Sequence, residues 1–252
     1  MRKLLLLLLL PVCVGFDGEH AREALDSAFH NLYGADVLAG VELVVEDGAQ
    51  RSGFSYAYGR KHSGAEVRTL VYSADGDRDS TRALLFQRPG EADRIFLAEG
   101  SVGRVRAVAA GRGATSFFGS DFSYEDMRAK RAEDFRIEVL GTDVQDGEPC
   151  RVLRLRPFDG PYEKLVVWLS TERPVIVRTD YFDQKGLWKR YRADVRSLSE
   201  QFEWWVPMHD QMLDLRTGRR TKRHVRNIIV DAAVPDEMFT TTQLARGRMP
   251  AF

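Results

Sequence analysis

Asp121, Glu125 and Asp126 crowd one short segment, and closely set carboxylates are the simplest equipment for general acid and base work. Helical spacing would set Asp121 and Glu125 on one face. The run Ser123-Tyr124-Glu125-Asp126 is, however, a capping-box arrangement, in which Ser123 satisfies an orphan amide donor at a helix start. Acids there are favoured by the positive end of the amide dipoles, by ~0.3–1 kcal/mol each, so capping accounts for them without catalysis. The histidines, His20, His30, His62, His209 and His224, show no metal-ligand spacing, and neither HExxH nor CxxC accompanies them; no metal site is indicated. Gly111-Arg112-Gly113 opens like a dinucleotide fingerprint but has Ser116 where the third glycine belongs, and no Gly-x-Ser-x-Gly elbow occurs. These patterns nominate neither a cofactor nor a catalytic residue.

Charge and sulfur narrow the classes further. The chain has 252 residues with 37 basic against 37 acidic ones, a balance that nominates neither nucleic acid nor an acidic partner. One dense basic run, Arg216, Arg219, Arg220, Lys222, Arg223, His224 and Arg226, could meet anionic membrane headgroups, or it could form the solvated rim of a hairpin. Alternation in a strand would leave Val225 and Ile228 facing inward. Cys150 sits in an apolar alternating stretch with no histidine nearby, the setting of a small buried hydrophobe rather than a nucleophile.

Arg2 and Lys3 followed by the leucine run Leu4–Leu10, then Pro11 and the small Gly15, read as a secretory signal peptide over residues 1–15. Its apolar stretch is far shorter than the ~20 residues needed to cross a bilayer. Cleavage after Gly15 removes Cys13 and leaves Cys150 without a disulfide partner. Lipidation of Cys13 is disfavoured, because Val12 stands where a lipobox needs a small residue. Residues 16–252 then form one domain whose core, not a disulfide, must stabilise it.

The elements that must position any site are mostly strands. Ala21, Ala24, Leu25, Ala28, Phe29 and Leu32 recur at helical spacing before Gly34, which predicts one amphipathic helix from about His20 to Tyr33. Asp47-Gly48 and Asp146-Gly147 signal hairpins, and Phe54, Tyr56 and Tyr58 alternate with small or polar residues. About eleven short strands follow, with turns every 8–12 residues or so, the spacing of a sandwich or barrel. So many antiparallel strands in one sheet curl, and the concave face either packs on itself or encloses a ligand. The residues thus give a mainly β (α+β) class, a curled antiparallel sheet whose concave face helices must plug or line.

The segment Phe117-Phe118-Gly119-Ser120-Asp121-Phe122-Ser123-Tyr124-Glu125-Asp126 resembles the outer-membrane lipoprotein-sorting proteins of the LolA/LolB-like superfamily. Further matches are Tyr162 to Leu169 with Trp168, the run Tyr181-Phe182 to Trp188-Lys189, Trp205-Val206-Pro207, and Val234 to Thr240. The sequence departs from the pattern at Phe96-Leu97-Ala98-Glu99, where a proline-containing turn is expected before Arg104 and Arg106.

The resemblance implies a strongly curved antiparallel sheet, an incomplete barrel with helices over its mouth, that carries lipid or acylated lipoprotein cargo through the periplasm and touches membrane surfaces transiently; an exported protein seldom meets nucleic acid, and no cofactor motif is present. Some relatives are thought to serve inner-membrane exporters of the resistance-nodulation-division type, so a non-enzymatic accessory role is the alternative, and an exported hydrolase a second. On this reading the candidates for a lipid-lined interior are Phe86, Phe96, Phe117, Phe118, Phe122, Tyr124, Trp168, Tyr181, Phe182 and Trp188. Residues alone favour filled core for such aromatics.

Overall fold

The computed structural model describes residues 18–73, 81–100, 104–108 and 113–246; the expected leader over residues 1–15, with Cys13, and the pair Gly111-Arg112 lie outside them. Helix α1 (Gly18–Tyr33) leads into β1 (Val37–Asp47), β2 (Gln50–Ser63), β3 (Glu66–Ser73), β4 (Arg82–Gln87), β5 (Arg94–Ala98) and β6 (Arg106–Val108). A connection carrying the short α2 (Tyr124–Met127) crosses to β7 (Phe135–Gln145), β8 (Glu148–Pro157), β9 (Lys164–Ser170), β10 (Ile176–Asp183) and β11 (Gly186–Ala193). The hairpin β12 (Leu198–Gln201) and β13 (Trp204–Pro207) precedes β14 (His209–Asp214), β15 (Arg220–Val230) and α3 (Thr241–Arg246).

Thirteen strands form one antiparallel sheet in the order β6-β5-β4-β3-β2-β1-β15-β14-β11-β10-β9-β8-β7, and β12-β13 stand apart as a second, two-stranded sheet. The sheet has two ends, so it is not a closed barrel. It is strongly curved: Tyr58 of β2 and Leu155 of β8 line one hollow, although β2 and β8 stand seven places apart in the strand order, roughly 34 Å in a flat sheet. The described residues hold fifteen strands rather than about eleven. The short β6 and β12 carry too few residues to show a period, and Pro207 divides what reads as one strand from Trp204 to Leu215.

The expected hairpin turns form where the glycines allow positive φ. Gly48 (φ 58°) closes β1–β2, and Asp146 (φ 52°) with Gly147 (φ 88°) closes β7–β8. Helix α1 buries Ala21, Leu25, Ala28 and Phe29 against the concave face, with Phe29 5.9 Å from the Phe135 ring.

A second core lies on the opposite, convex side. Leu70, Tyr72, Leu84 and Ala98 of β3–β5 pack there under Val234, Met238, Phe239 and Leu244 of the C-terminal segment. The same strands face α1 and the motif with Val71, Ala83, Leu85 and Leu97. Burial on both faces is why β4 reads as an unbroken apolar run from Ala83 to Phe86. Phe96-Leu97-Ala98, where the family pattern expects a turn, simply continues β5, and Glu99 just beyond it pairs with Arg106 at 2.9 Å.

Candidate functional site

The concave face is not packed solid. A cavity of about 190 Å³ lies between the sheet, α1 and the β12–β13 hairpin. Its walls are mostly apolar: Ala28, Phe29 and Leu32 from α1, Val37 and Val41 from β1, Tyr56 and Tyr58 from β2, Val167 from β9 and Met212 from β14. Trp204, Trp205 and Val206 of β13 close one side. The side-chain amide of Asn31 clasps α1 to this hairpin, donating to the Trp205 carbonyl at 2.9 Å and accepting from the Trp205 amide at 2.7 Å. The His30 and Trp204 rings meet at 5.0 Å beside that clasp.

Of the aromatic candidates, Phe122 and Tyr181 line this hollow. Phe117 and Phe118 belong to a compact loop packed on β2, with Phe117 5.6 Å from Tyr56 and Phe118 5.9 Å from Phe54, and Tyr124 at the start of α2 meets Phe117 edge to face at 5.5 Å. Trp188 flanks Tyr162 at 6.1 Å and donates Nε1 to Asp214 at 3.0 Å. Phe86 and Phe96 sit with the second core, edge to face at 6.0 Å. Trp168 turns to the opposite side of β9 from Val167, where Arg178 covers it at 3.9 Å, and Phe182 lies under Lys164 at 4.4 Å.

The motif is built as an anchor. Its base is a bridge between Ser116 and Ser123, its tip turns at Phe118 (φ 50°) and Gly119 (φ 72°), and Ser120 Oγ donates to the Phe117 carbonyl at 2.6 Å. Ser123 caps α2 in the expected box, with Asp126 accepting from the Ser123 amide at 2.7 Å. Asp126 does more than cap. It pairs with Lys189 of β11 at 2.5 Å and accepts from Tyr162 Oη at 2.7 Å. Lys189 is 2% exposed and ringed by Tyr162, Tyr181 and Trp188 at 5.0–5.4 Å. Burial pushes the Asp126 pKa upward, but the charge and hydrogen bond of Lys189 prevail and hold it below the usual carboxylate range.

Asp121 and Glu125 do not form an acid-base pair. Helix α2 begins only at Tyr124, so Asp121 stands in the loop before it and the helical spacing expected between the two does not apply. Asp121 turns to β15, meeting Arg219 at 2.8 Å and accepting from Thr221 Oγ1 at 2.6 Å. Glu125 turns toward Arg128, 3.8 Å away, and the backbone near Gly113. Burial raises both pKa values.

The basic run is largely neutralised. Arg216 pairs with Asp183 at 2.5 Å, Lys222 with Glu46 at 2.7 Å, Arg226 with Glu42, and Arg223 with Asp210. Strand alternation sends Arg223 inward, where it lines the hollow over the Phe122 ring at 5.2 Å, while His224 meets the His209 ring, tilted, at 4.7 Å on the other face. Burial opposes the charge of Arg223, yet Asp210 holds it well above its ordinary pKa. Tyr191 Oη donates to the same Asp210 carboxylate at 3.3 Å.

Cys150 is buried, and burial pushes its thiol up to about 11. Among the described residues no group of three or more histidine, cysteine or acidic side chains is placed to hold a metal, and no helix is long and apolar enough to cross a membrane. Sequence reasoning missed Lys189, Tyr162, Tyr191 and Asp210 as inward-facing polar residues. The signal was parity: Lys189 and Tyr191 alternate on one face of β11, as Tyr56, Tyr58 and Arg60 do on β2.

A family model described as "Uncharacterized protein" matches residues 65–246. No curated protein sequence matches the chain. Among solved structures, a domain described as that of an outer membrane lipoprotein-sorting protein from Vibrio parahaemolyticus aligns with a TM-score of 0.79 at 22% identity, over 90% of this chain and 97% of that one. A DUF1329 family protein from Desulfovibrio piger aligns at 0.80 with 20% identity, over 88% and 98%. A LolA superfamily protein from Nitrosomonas europaea aligns at 0.68 with 18% identity, over 89% and 99%. The chain belongs to the family whose model spans residues 65–246, and its fold is that of the LolA-like superfamily.

Proposed function

We propose that the protein is a non-enzymatic periplasmic carrier that shelters the acyl chains of lipoproteins or other lipids and moves them toward the outer membrane after loss of the leader over residues 1–15. The observation that carries this reading is the apolar hollow of about 190 Å³ beneath α1 and the β12–β13 hairpin. Apolar cavities of about 150 Å³ take up apolar ligands, and the mostly apolar walls of this one support hydrocarbon as its guest. The need is equally physical. About fifteen methylenes lose roughly 12 kcal/mol on entering water, so a lipid does not cross an aqueous gap unescorted. The leader-like start and the likeness to a lipoprotein-sorting domain support the compartment and the cargo class.

Native mass spectrometry of protein purified gently from the cells that make it tests the proposal. Adducts that extract as lipid are expected, and Ala39→Trp, which fills the hollow from β1, should remove them while the chain stays folded. Protein that carries no lipid and takes up no added single-chain amphiphile would refute the carrier reading.

A further inference from the structure

Two of the four charges that line the hollow are matched, Asp126 by Lys189 and Arg223 by Asp210. Arg60 is not. It is 6% exposed and lines the hollow, and among the described residues no carboxylate stands within ion-pair distance of it. Its Nη1 donates to the Leu32 carbonyl at 2.8 Å, near the C-terminal end of α1, while its Nε is buried with no hydrogen-bond partner. The guanidinium lies 5.0 Å from the Tyr33 ring and 5.3 Å from the Tyr58 ring. Lys130, also on the wall, approaches the same Tyr33 ring at 5.9 Å. Its Nζ is held by the backbone carbonyls of Glu125 at 2.6 Å and Arg128 at 3.0 Å and makes no ion pair among the described residues, although its charge reaches the Glu125 and Asp126 carboxylates from a distance.

Burying a cation without a counter-charge is costly. The negative end of α1 and two aromatic faces offset part of that cost, but they supply no anion. The chemistry that completes the site is a carboxylate or phosphate, and its neighbour is a hollow built for hydrocarbon. The geometry points to an anion-binding subsite at Arg60, with Lys130 as second cation, that receives the charged head of an amphiphile whose chain fills the hollow. This assignment rests on the carrier reading and narrows its cargo to lipids with an anionic group.

Titration of the protein with laurate, dodecyl phosphate, dodecanol and inorganic phosphate, read by the fluorescence of Trp204 and Trp205, separates the possibilities. Laurate or dodecyl phosphate should bind about tenfold tighter than dodecanol or better, the advantage shrinking as salt is raised. Whichever of the two binds tighter identifies the head as carboxylate or phosphate, and inorganic phosphate alone should not bind in the same range. Arg60→Met should bring the charged ligands down to the dodecanol level while leaving dodecanol unchanged, and Arg60→Lys should keep part of the preference. Should Arg60→Met fail to fold, the charged-against-neutral comparison on the native chain still decides. Equal binding of laurate, dodecyl phosphate and dodecanol overturns the subsite, as does inorganic phosphate binding as well as dodecyl phosphate. An Arg60→Met variant that weakens dodecanol as much as laurate makes Arg60 a clasp for α1 and also overturns it. If none of the chain-bearing ligands binds, the carrier reading itself fails first.

Discussion

Two segments cover the concave face, and they are fastened by different physics. The motif connection with α2 is nailed down by buried charge: Asp126 to Lys189 and Tyr162, Asp121 to Arg219 and Thr221. The β12–β13 hairpin is held to α1 by the Asn31 amide clasp, a ring contact and apolar burial, with Phe202 at its tip 81% exposed, while α1 itself is also fastened by Arg60 to the Leu32 carbonyl and by the Ala132 amide to Asp26. Breaking a buried pair strands a charge in a low-dielectric interior, whereas a neutral clasp can be exchanged for water at small net cost. The lesson is a division of labour, in which the motif is the fixed end of the cover and the β12–β13 hairpin is its more loosely fastened end.

The largest expected effect comes from breaking the fixed end. Lys189→Met leaves Asp126 charged and buried, and urea denaturation should show a loss of about 3–5 kcal/mol. Replacing both partners, Lys189→Met with Asp126→Leu, should recover most of that loss. A single variant within about 0.5 kcal/mol of the native chain would remove the distinction between the two covers.

The same pair governs acid sensitivity. Because the folded Asp126 pKa lies below its unfolded value of about 3.9, its stabilising contribution is complete above that value and is lost as pH falls through the folded one. Stability measured against pH should therefore fall less steeply on the acid side in Asp126→Asn. Asp121 and Glu125, whose pKa values burial raises, contribute with the opposite sign: what they add is present below their unfolded values and lost as pH rises through the folded ones. An unchanged acid limb in Asp126→Asn would mean that Lys189 does not depress this carboxyl.

At the looser end the effects should be smaller and local. Asn31→Ala removes both hydrogen bonds to Trp205 and should cost about 1–2 kcal/mol. Hydrogen exchange should quicken at the β12–β13 amides while Asp126 and its loop stay protected, and equal quickening in both places would contradict the comparison. Phe202→Ser should be the mildest change, within about 0.5 kcal/mol by thermal melting, because the ring has little burial to lose.

What was legible in the sequence was what is local. The Asp47-Gly48 and Asp146-Gly147 turns need positive φ at known positions, and the Ser123 box needs only three residues. The pairing of β1 with β15 joins distant chain segments, Val37 and Val230 lying 193 positions apart, and no short pattern encodes it. The site was harder to read for a different reason. Lys189, Arg60 and Asp210 look like surface charges until strand parity places them beside inward tyrosines, and Trp168 looks like core until parity turns it outward. The second core was hidden because the C-terminal segment that makes it carries no strand pattern of its own.

The open ends of the large sheet bear on what the hollow can hold. In a closed barrel, strand number and stagger set the bore, and a wider guest would have to break a ladder. Here no ladder joins β6 to β7 among the described residues. The girth of the interior is set instead by what spans the concave face, the packing of α1 and the ion pairs of the motif, so substitutions there change the bore with every strand pairing kept.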